Sequence, residues 1–181
     1  MNQALFLDRD GVINRDSGYV GNPADFKLLP GIAQVMMAAQ SLGYLLVVIT
    51  NQSGIARGYF TQDDYAAVET RMKRCLSDEG ISLTAIYHCP HFPGGTVKQL
   101  ATTCDCRKPA PGMILQAAKD LQIDLDASIL LGDKPSDIEA GLAAGVADNF
   151  LIAPNSSDAK ILADVVTTMT RKSRLAQIRA Q

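Results

Sequence analysis

The sequence predicts an α/β fold: a central, mainly parallel sheet flanked by helices on a single domain spanning residues 1–181. Three observations carry that prediction. Short apolar segments alternate with helical segments of about 10–18 residues, the pattern of βαβ units. The first apolar segment, Ala4–Leu7, shows no polar alternation, as expected of a parallel strand covered on both faces. Polar clusters stand at the carboxyl ends of the predicted strands, where open α/β sheets hold their ligands.

Taken in order, Ala4–Leu7 is the first strand and runs into Asp8-Arg9-Asp10-Gly11. Extended alternation would place Asp8 and Asp10 on one side and Arg9 opposite. Asn14–Asp25, rich in Gly, Asn, Asp and Pro, reads as a long loop. Pro30-Gly31 introduces a helix over Ile32–Leu42, with Ile32, Val35, Met36 and Ala39 at helical spacing and Gly43 as its stop. Tyr44–Ile49 is the second strand and ends in Thr50-Asn51-Gln52-Ser53. Thr61 caps a helix from Gln62 to Glu79, whose apolar face includes Tyr65, Val68, Met72, Cys75 and Leu76. Leu83–Cys89 is the third strand, and Pro90–Cys106 is irregular. Pro111-Gly112 opens a helix to Leu121. Ser128–Leu131 is the fourth strand, Asp137–Ala144 a helix and Val146–Ile152 the fifth strand. Ala163–Met169 reads as one more short strand before a C-terminal helix.

Composition narrows the function classes. With 47% hydrophobic and 20% charged residues, the chain is expected to be a soluble globular domain. A net charge of -2 leaves no basic footprint for nucleic acid. The basic run Arg171, Lys172, Arg174 and Arg179 reads as a solvated helix end that complements the dipole. The longest apolar run, Tyr44–Ile49, is far short of the ~20 residues that span a bilayer. The first residues lack a basic region followed by an apolar one, so the expected location is the cytoplasm, with no membrane partner; with no obvious apolar patch, the expected state is a monomer.

Gathered at the strand ends, Asp8, Asp10, Asp133 and Asp137 would repel one another without a divalent cation, and hard oxygen ligands suit Mg²⁺. Thr50 and Lys108 beside such a cluster suit the non-bridging oxygens of a phosphate. A carboxylate nucleophile, a metal and neutralising cations together indicate phosphoryl transfer.

Asp8-Arg9-Asp10-Gly11-Val12, Thr50-Asn51, Lys108 and Gly132-Asp133-x-x-x-Asp137, in this order, resemble the haloacid dehalogenase (HAD) superfamily of phosphatases. The resemblance implies a Rossmann-like core without a large cap domain, and it implies roles. Asp8 is the nucleophile and Asp10 the general acid and base, holding its proton because of neighbouring negative charge. Mg²⁺ sits on Asp8, the backbone carbonyl of Asp10 and Asp133. Thr50 and Lys108 hold the phosphoryl group, while Asp137 orients Lys108 or metal-bound water.

A second metal signal lies in the irregular segment. Cys89 and His91 with Cys104 and Cys106 offer three thiolates and an imidazole, the donor set of a closed tetrahedral structural Zn²⁺ site. His91 is preferred to His88, which lies inside a strand. Because Arg107 and Lys108 follow Cys106 directly, this zinc-binding loop would fix both cations. Cys75, on a helix face, reads as packing.

Within the superfamily the zinc loop resembles two groups, the heptose-bisphosphate phosphatases and the histidinol-phosphate phosphatases. The stretch from Phe92 to Thr103 has the length of the former. That resemblance implies a small-molecule sugar bisphosphate, contacted by Asp16, Ser17, Gly18 and Tyr19, with Asn51, Gln52, Ser53, Arg107 and Lys134 nearby. Arg107 suits a second phosphate. A zinc-stabilised binding module without catalysis is the competing class; the acidic balance speaks against it for nucleic acid.

Overall fold

The computed structural model describes residues 1–179; the side chain of Arg179, counted above in the basic run, lies outside that description. Five strands, β1 (Ala4–Leu7), β2 (Leu45–Asn51), β3 (Ala85–Cys89), β4 (Ile129–Gly132) and β5 (Asp148–Leu151), form one sheet in the order β3-β2-β1-β4-β5. Every neighbouring pair is parallel. The helices are α1 (Ile32–Ser41), α2 (Ser53–Ala56), α3 (Gln62–Asp78), α4 (Gly112–Leu121), α5 (Pro135–Ala144) and α6 (Ala159–Arg179).

β1 explains why its sequence lacks alternation. Leu5 and Leu7 face a core built with α1, α3 and α6, while Ala4 and Phe6 face a second core built with α4 and α5. All four residues are fully buried, so a polar side chain on either face would lose its water. From β1 the chain builds outward through β2 to β3, then returns to β4 on the other flank. The carboxyl ends of β1 and β4 therefore border the topological switch point, where an open sheet leaves a crevice.

Several boundaries follow local chemistry. Thr61 and Asp64 form a reciprocal capping box at the start of α3. β2 runs two residues past its predicted end, pairing Thr50 with His88 and Asn51 with Cys89. Cys75 is half-buried and packs on the first core. The four-residue α2 was not foreseen, being shorter than the window in which helical periodicity shows.

One expectation is corrected. Ala163–Met169 is not a strand but the middle of α6. The run Val165-Val166-Thr167-Thr168 has strand propensity, yet Leu162, Val165 and Met169 recur at helical spacing and bury together against the core. Packing outweighs a propensity that spans only ~1 kcal/mol.

Candidate active site

Lys108 is the hub of the site. Its ammonium is buried and donates to Asp8 Oδ1 at 2.7 Å and the Ile49 carbonyl at 2.8 Å, and pairs with Asp137 Oδ1 at 2.8 Å. An ammonium has three donors, so all are committed. Burial pulls the Lys108 pKa down, but Asp8 and Asp137 outweigh it and hold the side chain charged. Asn51 fixes the backbone beneath: its Oδ1 accepts from Lys108 N at 3.0 Å and its Nδ2 donates to Lys108 O at 3.0 Å.

Asp137 works in two directions. Oδ2 accepts from the backbone N–H of Asp133 at 3.1 Å and of Lys134 at 2.9 Å, capping α5, while Oδ1 faces Lys108. Gly132 is required for this approach, because a Cβ there would stand 2.3 Å from the Asp137 Cβ. Of the two roles open for Asp137, orienting Lys108 matches this geometry.

Asp8, Asp133 and Asp137 bring carboxylate oxygens within 4.8 Å of one another. Lys108 alone cannot neutralise three buried carboxylates. Burial raises the Asp8 pKa against the opposing pull of Lys108. Burial and then the Asp8 charge push Asp133 up to about 7. Both Asp133 oxygens are buried without a hydrogen-bond donor, and Lys134 Nζ stands 3.8 Å from the nearer one. Gly11 lets Asp133 come close: its φ is +94° and an added Cβ would lie 2.3 Å from Asp133 Oδ2. Buried, donor-free hard oxygens around a shared point fit a divalent cation such as Mg²⁺.

Asp10 departs from expectation. Arg9, predicted to point away from it, folds back and clamps it, with Nη2 2.8 and 2.7 Å from the two carboxylate oxygens and Nε 3.0 Å from one. Asn14 Nδ2 donates to Oδ1 at 3.0 Å and Gln52 Nε2 to Oδ2 at 2.9 Å. Every hydrogen bond to Asp10 thus comes from a donor on Arg9, Asn14 or Gln52, so both carboxylate oxygens are engaged as acceptors in this conformation. The cause is the loop after β1: it leaves extended geometry at once, Ile13 and Asn14 both donating to the Arg9 carbonyl. Arg9 itself is buried against Tyr65. Gln52 also donates to Thr50 Oγ1 at 2.8 Å, linking the second strand end to the first.

Over these groups opens a cavity of about 560 Å³. Asp8, Asp10, Asp16, Gly18, Tyr19, Thr50, Asn51, Gln52, Ser53, Arg107, Lys108 and Lys134 all line it, with Val20, Gly54, Pro109, Ser136 and Asp137. Ser17, expected among the substrate contacts, is exposed and outside the lining, because the segment turns at Gly18, whose N–H is accepted by Asp16 Oδ1 at 3.0 Å. Asn51 and Gln52 reach the cavity but spend their amides on Lys108, Asp10 and Thr50. Sequence reasoning passed over Arg9 and Asn14; Arg9 alone carried a signal, a cation between two aspartates at the end of an apolar strand.

The irregular segment after β3 brings Cys89 Sγ, His91 Nδ1, Cys104 Sγ and Cys106 Sγ together. Five of their six separations run from 3.0 to 3.7 Å, and all lie within 4.8 Å. A tetrahedron with metal–sulfur bonds of about 2.3 Å has edges of about 3.8 Å, so the four donors surround a point suited to Zn²⁺. His88 is elsewhere, stacked 4.3 Å from Tyr65 with its Nε2 3.0 Å from Gln62. The loop is braced on both sides. Gly112 N donates to Asp105 O at 2.9 Å, and a Cβ on Gly112 would meet that oxygen at 2.2 Å. On the other side Val97 N donates to Ala56 O at 2.9 Å, and Arg57 lies 3.7 Å over the Phe92 ring, which Arg107 also approaches at 5.3 Å.

Comparison with known proteins agrees with this architecture. The family model described as HAD-hydrolase-like matches residues 105–169. The D-glycero-beta-D-manno-heptose-1,7-bisphosphate 7-phosphatase of Yersinia pestis is 43% identical over 166 residues, covering 90% of this chain and 88% of that protein. The D-glycero-alpha-D-manno-heptose-1,7-bisphosphate 7-phosphatase of Burkholderia mallei is 46% identical, covering 96% of this chain and 90% of that protein. A crystal structure of D,D-heptose 1,7-bisphosphate phosphatase from B. bronchiseptica, complexed with magnesium and phosphate, superposes with a TM-score of 0.76. Its identity to this chain is 36%, covering 90% of this chain and 86% of that one. A carboxylate cluster at the switch point, a buried lysine on its nucleophile candidate and relatives matching nearly end to end place this chain in the HAD-like phosphatase family, as a phosphoric monoester hydrolase.

Proposed function

We propose that the protein is a Mg²⁺-dependent phosphatase that removes the 7-phosphate of D-glycero-D-manno-heptose 1,7-bisphosphate through an aspartyl-phosphate on Asp8, in cytoplasmic heptose and lipopolysaccharide precursor synthesis. The observation that carries the substrate class is a cation in the cavity lining that no carboxylate pairs. Lys108 is paired with Asp8 and Asp137, and Lys134 faces Asp16 at 3.4 Å. Arg107 lines the same cavity and has no carboxylate partner among the described residues. A guanidinium that donates only to the His91 carbonyl at 3.4 Å and meets no carboxylate suits a second phosphate.

Lys108 orients the Asp8 carboxylate for in-line attack and, beside Thr50, exchanges one of its three bonds for an oxygen of the transferring group. Asp8 and Asp133 would hold Mg²⁺ with the Asp10 carbonyl; when bound, the ion neutralises charge on nucleophile and phosphate. For Asp10 to serve as acid and base it must exchange a contact with Arg9, Asn14 or Gln52 for the leaving oxygen. Cys89, His91, Cys104 and Cys106 would hold a structural Zn²⁺ that fixes Arg107.

A phosphate-release panel with Mg²⁺ tests the reading, comparing heptose 1,7-bisphosphate, fructose 1,6-bisphosphate and histidinol phosphate. The heptose bisphosphate is expected to have the highest kcat/KM, and Asp8→Asn to abolish both turnover and the acid-stable, base-labile phosphoenzyme. Preference for histidinol phosphate overturns the assignment.

A further inference from the structure

Asn155 lies in the loop between β5 and α6, outside every motif that builds the site, and its backbone is left-handed, with φ of 60°. Its side chain grips the main chain of Asp16 from 139 residues away: Oδ1 accepts from Asp16 N at 2.6 Å and Nδ2 donates to Asp16 O at 2.9 Å. Its own N–H donates to the Gly11 carbonyl at 3.1 Å. One residue therefore ties the catalytic loop after β1 to the segment that borders the cavity.

The chemistry favours asparagine. A primary amide carries an acceptor and a donor side by side, matching the N–H and C=O of a single residue. Asparagine also tolerates the left-handed region better than most residues. Asn51 grips Lys108 by the same pair of bonds, so the device appears twice, once under a catalytic cation and once under Asp16.

What depends on this grip is the Asp16–Tyr19 segment. Asp16 Oδ1 accepts from Gly18 N, and its Oδ2 faces Lys134. Tyr19 packs edge-on against Tyr59 at 4.6 Å, and Gly54 comes so close that a Cβ there would meet Tyr19 at 3.0 Å. The segment's far end thus rests on the turn after α2, while its near end rests on Asn155.

We propose that Asn155 is a positioning residue for substrate selection, holding Asp16 and the turn behind it where they meet the part of the substrate that does not react. The proposal rests on the reading that Asp16–Tyr19 borders the sugar portion of a bisphosphate. Asn155→Gly is the informative variant, since glycine accepts the backbone conformation and removes only the two side-chain bonds; Asn155→Asp keeps the acceptor and loses the donor.

The experiment pairs two readouts. Amide exchange over residues 14–20 by mass spectrometry, measured without substrate, is expected to quicken in Asn155→Gly and less in Asn155→Asp. In steady-state assays the KM for heptose 1,7-bisphosphate is expected to rise about tenfold with kcat within about twofold, the size of effect that two exposed hydrogen bonds support. Hydrolysis of para-nitrophenyl phosphate, which engages only the phosphoryl-transfer groups, is expected to stay unchanged. Unchanged exchange overturns the proposal, as does quickened exchange with an unaltered KM, or equal loss on both substrates. A wild-type enzyme with no preference for the bisphosphate would instead sink the functional reading, while the exchange rates would still decide whether the grip exists.

Discussion

Replacing Asp137 separates its two jobs and sets a magnitude on each. Asp137→Ala removes the N-terminal cap of α5, where two backbone N–H groups converge on one oxygen; losing such a cap costs about 1 kcal/mol. It also removes one anion from a buried ammonium. Breaking a buried pair costs roughly 3–5 kcal/mol, but Lys108 retains Asp8 at 2.7 Å and the Ile49 carbonyl at 2.8 Å, which argues for the low end. Against this, Asp137 raises the pKa values of Asp8 and Asp133, so its removal relieves repulsion worth about 1 kcal/mol. The net cost is about 3 kcal/mol for Asp137→Ala and about 2 kcal/mol for Asp137→Asn, whose amide oxygen still caps the helix. At ~2–4 °C per kcal/mol for a chain of this size, Asp137→Ala should melt about 6–12 °C lower. Thermal unfolding followed by circular dichroism measures the shift, urea unfolding the free energy, and a double-mutant cycle with Lys108→Met isolates the pair. A coupling below about 0.5 kcal/mol refutes the reasoning. So does Asp137→Asn losing Mg²⁺ affinity by calorimetry while keeping wild-type stability, which would make Asp137 a metal ligand instead.

Two further predictions concern the two candidate metal sites. With Asp133 raised from 3.8 to about 7 in the metal-free protein, its carboxyl binds a proton in the folded state that the unfolded chain has released. Its contribution to stability is therefore full below about pH 4 and lost as pH rises through about 7. Apparent Mg²⁺ affinity should climb across the same window with release of a proton, visible by calorimetry in buffers of different ionisation enthalpy; a flat profile between pH 5.5 and 8 contradicts it. For the cysteine–histidine cluster, chelation of zinc in magnesium-replete enzyme should lower activity by loosening Arg107 and Lys108, and added Zn²⁺ should restore it. Full activity in protein shown by atomic absorption to hold no zinc would rule this out.

The sheet was legible because burial on both faces leaves an uninterrupted apolar signature in β1, and because each helix facing it must carry a stripe. α6 was misread where four β-branched residues hid that stripe. The two clusters that could hold a metal were legible from carboxylates and thiolates near strand ends, chemistry that few other contexts tolerate. The Arg9 clamp on Asp10 was not, since alternation holds only while the chain stays extended and the turn begins at once. Nor was Asn155, because a side chain gripping a distant backbone leaves no periodicity, charge pattern or spacing in the sequence. Such contacts are specified by the fold and become visible only when it is built.

The position of β1 also determines the order in which the site can assemble. Leu5 pairs with Leu46 on one flank but with Ile129 on the other. The first contact closes a short loop; the second must wait for a chain segment more than a hundred residues further on, at a greater loss of chain entropy. Until β4 arrives, Asp8 has no Asp133 beside it and one edge of β1 stands open. Synthesis from the N-terminus would pass through such a half-sheet, an edge prone to mispairing. Catalytic competence is therefore a late event in folding, and recovery of activity on refolding should lag the formation of the β1–β2–β3 half of the sheet.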